Sequence, residues 1–200
     1  MEAKASQRSA LRSARAALSP SALDTAAQGL LITGQKLLKQ LNLPLEKSGV
    51  AGYLPSGSEP AVLKLLTVLS QNGHPIYLPV CQADFRLAWT RWFPGVELRR
   101  SSYAPVLEPV GELHDVQLMN SIGLLLIPAL AVDARGVRMG QGGGYYDRFL
   151  ATLSELDEAP VLAAVVYSTE VLAAGAVASD TWDQAVDYAL TPEFFQDLRC

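Results

Sequence analysis

Apolar residues fall into two patterns along this chain. Residues 122–131, IGLLLIPALA, form the strongest apolar run, the pattern of a central parallel strand covered on both faces. Shorter runs at 49–54 (GVAGYL), 75–80 (PIYLPV), 161–167 (VLAAVVY) and 188–191 predict further strands. Between them the spacing turns helical. Residues 3–18 predict a helix ended by Ser19-Pro20, and Leu30, Leu31, Leu37, Leu38 and Leu41 make a core-facing stripe on a second helix over 21–41. Ser21 or Asp24 is the expected cap of that helix. A third helix is expected from Glu59 to about residue 72, closed by Gly73, with others at 145–156 and 170–177. Alternating strands and helices predict an α/β fold: a three-layer α/β/α arrangement with a mostly parallel central sheet, Rossmann-like. Residues 82–118 are the least regular, and their aromatic residues Trp89, Trp92, Phe93 and Tyr103 suit packing first and a flat ligand second.

Composition narrows the class. Two hundred residues, half of them hydrophobic and 18% charged, predict one globular domain over 1–200. A net charge of −4 argues against nucleic acid or a membrane surface as partner. No apolar run reaches the roughly 18–20 residues of a membrane span. The arginine-rich start lacks the apolar centre of a signal peptide. Cys81 and Cys200 are too far apart in sequence for metal-ligand spacing, and Cys81 reads as a small buried residue. A cytoplasmic monomer acting on small molecules is expected.

The chemistry concentrates after the long apolar run. Residues 132–150, VDARGVRMGQGGGYYDRFL, hold five glycines between Gly136 and Gly144 and lead into a helix start. Glycine permits close approach of backbone to ligand, and a helix start offers unpaired N–H groups, so the stretch reads as an anion site, most often for phosphate. No Gly-Lys pair is present, so it is not a Walker A loop. A dinucleotide fingerprint starting at Gly140 and Gly142 meets Tyr145 at its last glycine position. A tight turn with no ligand is the plainer alternative. Asp147 at the loop exit offers hard oxygens suited to magnesium. Lys4, Arg8, Arg12 and Arg15 share one face of the first helix; a solvated face is the simple account, but like charges so spaced repel unless an anion is near. Glu59 at a helix start has the macrodipole as its simple explanation.

This stretch resembles the signature of the 5-formyltetrahydrofolate cyclo-ligase (5,10-methenyltetrahydrofolate synthetase) family, close to P-x-x-x-x-D-x-x-G-x-R-L-G-x-G-x-G-Y-Y-D. Pro128, Asp133, Gly136, Arg138, Gly140, Gly142, Gly144, Tyr145, Tyr146 and Asp147 match; Met139 replaces leucine, and Gly143 stands where some members carry lysine. The first helix resembles the family's K-x-x-x-R-x-x-x-[RK], residues 106–109 its I-x-E-P with Pro105 in place of glycine, and Trp182-Asp183 its [HW]-D segment.

The resemblance implies an ATP-dependent ligase of folate one-carbon metabolism that cyclises 5-formyltetrahydrofolate to 5,10-methenyltetrahydrofolate, releasing ADP and phosphate. It implies that ATP meets Lys4, Arg8, Arg138, Met139, Gly140, Gln141, Gly142, Gly143, Gly144, Tyr145 and Tyr146. Folate would meet Leu54, Glu59, Gln141, Gly142, Gly143, Gly144 and Tyr145. A magnesium ion would sit on Asp147 and Asp183, with Arg138 and Tyr145 closest to the chemistry. The alternatives are another ATP- or sugar-phosphate-using α/β enzyme that shares only the loop, and a non-catalytic nucleotide-binding protein.

Overall fold

A computed structural model describes residues 2–178 and 184–199, with side chains from residue 4. Its centre is a seven-stranded sheet. In chain order the strands are β1 (Gly49–Ala51), β2 (Ile76–Cys81), β3 (Leu87–Trp92), β6 (Ile122–Pro128), β9 (Val161–Val165), β11 (Tyr188–Leu190) and β12 (Phe195–Asp197). Two small sheets stand beside it. β4 (Leu98–Arg100) and β5 (Leu107–Pro109) form a hairpin, while β7 (Ala131–Asp133), β8 (Arg138–Met139) and β10 (Val171–Leu172) form a three-stranded sheet.

The spatial order is β12-β11-β9-β6-β1-β2-β3. The five inner strands are parallel, and β3 and β12 run antiparallel at the two edges. The chain leaves β1 outward to β2 and then returns to the other side of β1 for β6. That reversal is the switch point at which open α/β sheets gather ligands beyond their strands' carboxyl ends.

Strand alternation divides the core. Val50, Leu124, Leu126, Ala163, Val165 and Leu190 meet Leu30 and Leu37 of α2 (Pro20–Leu41) and Leu65, Leu66 and Leu69 of α3 (Leu63–Gln71). Ala51, Leu125, Ile127, Ala164 and Ala189 face the other way, onto Phe149 and Leu150 of α4 (Tyr145–Thr152) and onto Met119. The expected three layers are present. α2 is capped by Ser19, whose hydroxyl accepts the Ala22 N–H at 3.2 Å, with Pro20 at the first position; the cap therefore precedes the Ser21 or Asp24 expected from sequence.

Several boundaries move for physical reasons. The 122–131 run is two strands, because the chain leaves the main sheet at Pro128 and Ala131 starts the small one. The helix expected from Glu59 starts at Leu63: Pro60 disfavours helical backbone at Glu59, and the Glu59 carboxylate instead accepts the Ser56 N–H at 2.9 Å. The helix expected over 170–177 is replaced by a 3-10 turn at Ser168–Glu170 and strand β10. The tail after Pro192 is ordered through β12.

Asp133 anchors the small sheet. Fully buried, it accepts N–H groups from Arg135 at 2.9 Å and Val137 at 3.2 Å with one oxygen, and Gly175 at 2.7 Å with the other. Burial acts to raise its pKa, but these hydrogen bonds outweigh it and hold the carboxyl below its ordinary value. The folded-state pKa is depressed, so its stabilisation is present above the ordinary carboxylate value and is lost as pH falls through the folded one. Asp133→Asn is expected to cost about 1–3 kcal/mol at pH 7, since a carboxamide nitrogen cannot accept. In urea titrations that penalty should shrink as the pH is lowered through the folded-state pKa of Asp133; a pH-independent penalty would contradict this assignment.

Candidate active site

Beyond the carboxyl ends of β1, β2 and β6 lies a cavity of about 650 Å³. Tyr53, Leu54 and Glu59 line it after β1, Pro79 and Cys81 at the end of β2, and Pro128 at the end of β6. Gly140, Gln141, Gly142, Gly143, Gly144, Tyr145, Tyr146 and Asp147 form another wall, with Arg138 behind, and Tyr103–Leu107 close the far side.

The small sheet carries the glycine loop. β7 turns through Gly136, whose φ is +78° and where a Cβ would stand 2.5 Å from the Val186 carbonyl oxygen, so only glycine fits. β8 then delivers Arg138 and Met139 to the loop, which enters α4 at Gly144 with φ +74°. The expected strand–loop–helix is therefore lengthened by a three-stranded insert. Gly136 serves the turn before β8 rather than the loop.

The first helix, α1 (Glu2–Ala16), docks on this insert. Arg8 Nε donates to the Gly140 carbonyl at 3.1 Å, and Arg12 Nη2 donates to that of Gln141 at 2.7 Å. The basic face divides at Arg15, which is buried. Its Nε and Nη2 donate to the two oxygens of buried Glu170, each at 2.7 Å, and Nη2 also donates to the Ala129 carbonyl at 2.6 Å. Lys4 stands one turn before Arg8, half-buried, and neither it nor Arg8 lines the cavity.

Arg138 is the pivot of the loop wall. Its side chain is only 2% exposed, Nη1 donates to the Gln184 carbonyl at 3.0 Å, and Nη2 is paired with Asp147. Asp147 is half-exposed and faces the cavity, so its remaining oxygen can take a hydrated cation. Asp183 lies outside the described residues; its neighbour Gln184 is the residue Arg138 holds. Among the described residues no cluster of three His, Cys, Asp or Glu side chains could hold a metal. Met139 is buried against Leu130 and Val177 and is absent from the cavity lining.

The tyrosines differ. Tyr145 donates to the Tyr103 carbonyl at 3.0 Å and meets the Phe85 ring edge-on at 5.5 Å, joining the loop to the far wall. The Tyr146 hydroxyl is buried with no hydrogen-bond partner among the described residues. Burial first, then the nearby Glu59 and Cys81, push its pKa well up, so it stays protonated and can donate to a ligand. Burial and then Glu108 push the Cys81 thiol up to about 11, so the thiol is not a nucleophile here.

Two residues at the site had no assigned role from sequence. Buried Glu108 accepts the Cys81 N–H at 2.7 Å and pins the β4–β5 hairpin over the cavity; the family-like L-E-P was its only signal. Arg12, the third cation of the first helix, holds Gln141 at the loop tip. Trp89 is fully buried and Trp92 nearly so, and both belong to the core, as packing required.

The profile of the 5-formyltetrahydrofolate cyclo-ligase family matches residues 1–192. A 5-formyltetrahydrofolate cyclo-ligase of Mycolicibacterium smegmatis is 32% identical over 149 residues, covering 72% of this chain and 73% of that protein. One of Escherichia coli is 28% identical over 145 residues, covering 72% and 77%. The 5,10-methenyltetrahydrofolate synthetase structure from Aquifex aeolicus superposes with a TM-score of 0.73 at 26% identity, covering 98% of this chain and 93% of that one. The one from Mycoplasma pneumoniae gives 0.70 at 22% identity, over 95% and 99%, and supports the fold.

Proposed function

Because the chain belongs to the 5-formyltetrahydrofolate cyclo-ligase family, we propose that it closes 5-formyltetrahydrofolate to 5,10-methenyltetrahydrofolate at the expense of ATP. The observation that carries this reading is the cavity itself: an apolar-walled slot with a carboxylate on one side and a glycine loop on the other, at the sheet's switch point.

The reaction asks for little covalent chemistry from the protein. The formyl oxygen is a poor leaving group. It attacks the γ-phosphorus of ATP, the bond to ADP breaks, and an imidate phosphate forms. The folate's 10-nitrogen then adds to the formyl carbon and loses its proton, and the carbon–oxygen bond to phosphate breaks. Nucleophile and formyl group belong to one molecule, so proximity is built in. The work of the site is to hold two anionic substrates together and to stabilise charge on the transferring phosphoryl group.

The residues divide accordingly. Loop N–H groups from Gly140 to Tyr146, with Lys4, Arg8 and Arg12, serve the phosphates. Arg138 keeps Asp147 oriented and adds positive charge beside it. Asp147 and Asp183 would hold a magnesium ion, which would supply positive charge against the phosphates. Leu54 and Tyr145 flank the pterin, Glu59 accepts its ring N–H groups, and the Tyr146 hydroxyl donates to a substrate oxygen.

Absorbance in the methenyl-folate band tests the function. A rise on mixing protein with 5-formyltetrahydrofolate is expected only when ATP and magnesium are both present. Folded protein that binds ATP and shows no rise would point to the competing reading, a different acceptor. Glu59→Gln tests the folate side: KM for 5-formyltetrahydrofolate should rise roughly tenfold, the loss of one charge-assisted hydrogen bond. KM for ATP should change little, and an equal loss for both substrates would move Glu59 out of the folate site.

A further inference from the structure

At the rim of the cavity three side chains stand in a row. Arg12 Nε donates to Oε1 of Gln141 at 3.1 Å, while its Nη2 takes the Gln141 main-chain carbonyl at 2.7 Å. The carboxamide nitrogen of Gln141 donates to Oε1 of Glu59 at 3.3 Å. A carboxamide suits this position because one end only accepts and the other only donates. The arginine fixes which end faces it, and the carboxylate agrees with that choice. Glutamate at 141 would repel Glu59, lysine would repel Arg12, and leucine would join neither.

We propose that Gln141 is a positioning residue that couples the two substrate sites. The proposal rests on the reading of Arg12 as nucleotide-side and Glu59 as folate-side. In the free protein the bridge ties the two sides together across the mouth, and either substrate must undo part of it. Phosphate oxygens that take Arg12 in a fork along its Nε–Nη2 edge compete with Gln141 for it. A pterin N–H donating to Oε1 of Glu59 competes with the same amide, and Oε2 already holds the Ser56 N–H. The substrate that arrives first frees one end of the Gln141 amide; a side chain held at one end only regains rotamer freedom and competes more weakly at the other, so the second substrate has less to displace. Each substrate therefore tightens the other, by the same factor in both directions.

Calorimetric titration of the full chain with 5-formyltetrahydrofolate tests this, with and without magnesium and an ATP analogue carrying a β,γ-methylene bridge, which cannot transfer its phosphoryl group. In the unaltered protein the analogue should lower the folate Kd on the order of five- to tenfold. In Gln141→Ala the ratio should fall to about one, and folate alone should bind more tightly than to the unaltered protein, because Glu59 then has no amide to give up, while the main-chain carbonyl still holds Arg12. A residue that merely contacted folate or supported the loop would weaken binding instead. Gln141→Glu keeps an acceptor for Arg12 and repels Glu59, so it too should lose the coupling. A ratio of one in the unaltered protein, or an undiminished ratio in Gln141→Ala, overturns the coupling and leaves the functional reading intact. Protein that binds the nucleotide and no folate under either condition overturns the functional reading, and the coupling with it.

Discussion

Glu170→Ala is expected to lower stability by about 3–5 kcal/mol, because it strands a buried guanidinium. Arg15 and Glu170 have side chains 2% and 5% exposed, far from water that could solvate the survivor. The carboxylate also accepts the Tyr167 N–H at 2.8 Å, so the 3-10 turn before β10 loses its cap with it. Chemical denaturation should show the loss as a shifted midpoint with little change in slope. Removing both charges together, as Arg15→Met with Glu170→Leu, should recover much of it, since an apolar pair of similar volume avoids the desolvation cost. If the single substitution cost less than about 1 kcal/mol, the pair would not be the dry, mutually dependent contact described. The effect should reach the site as well: Arg15 is the fixed end of the helix that carries Arg8 and Arg12 to the glycine loop.

The largest effect on turnover is expected at Arg138. Arg138→Lys keeps the charge but cannot reach Asp147 and the Gln184 carbonyl with two separate nitrogens of one rigid plane. The rate constant kcat should fall by about 10²–10³, the usual cost of losing a preorganised hydrogen-bond donor beside a transferring group. KM for folate should be nearly unchanged, because Glu59 lies across the cavity from this contact. A comparable rise in folate KM would mean that Arg138 shapes the folate wall rather than the phosphoryl site.

The five parallel strands of the central sheet were legible in the sequence because they are largely buried on both faces; the antiparallel edge strands β3 and β12, partly exposed, were not. Continuous apolar runs at 122–128 and 161–165 have no other use in a chain of this composition, and parallel order followed from the helices between them. The inserted small sheet was not legible: Ala131–Asp133 continues the apolar run of β6 with no polar break, and β8 is only two residues long. Glu59 misled for a local reason, since an acid before a helical stretch fits either a helix start or a preceding turn, and Pro60 decides for the turn. Arg15 looked like the fourth member of a basic face. Helical spacing places it there, but its partner Glu170 lies 155 residues away, and no periodic signal links two such positions. The same holds for Glu108 and Cys81. The loop was legible through its glycines as a backbone wall leading into a helix; that Arg8 and Arg12 would clamp its carbonyls was not.

Those clamps bear on how the protein comes into being. Arg8 meets Gly140 across 132 residues, and Arg12 meets Gln141 across 129. Helix α1 is made before the loop it docks on, and the two can meet only once the chain between them is complete. Closing so long a loop carries an entropic cost that local helix formation does not, and contacts of this separation form late. The basic helix must therefore wait, solvated, through most of synthesis, and its charges suit that wait: an apolar docking helix would be exposed to misassembly for as long. The loop wall of the cavity is complete only when α1 has docked, so the site depends on contacts spanning most of the chain.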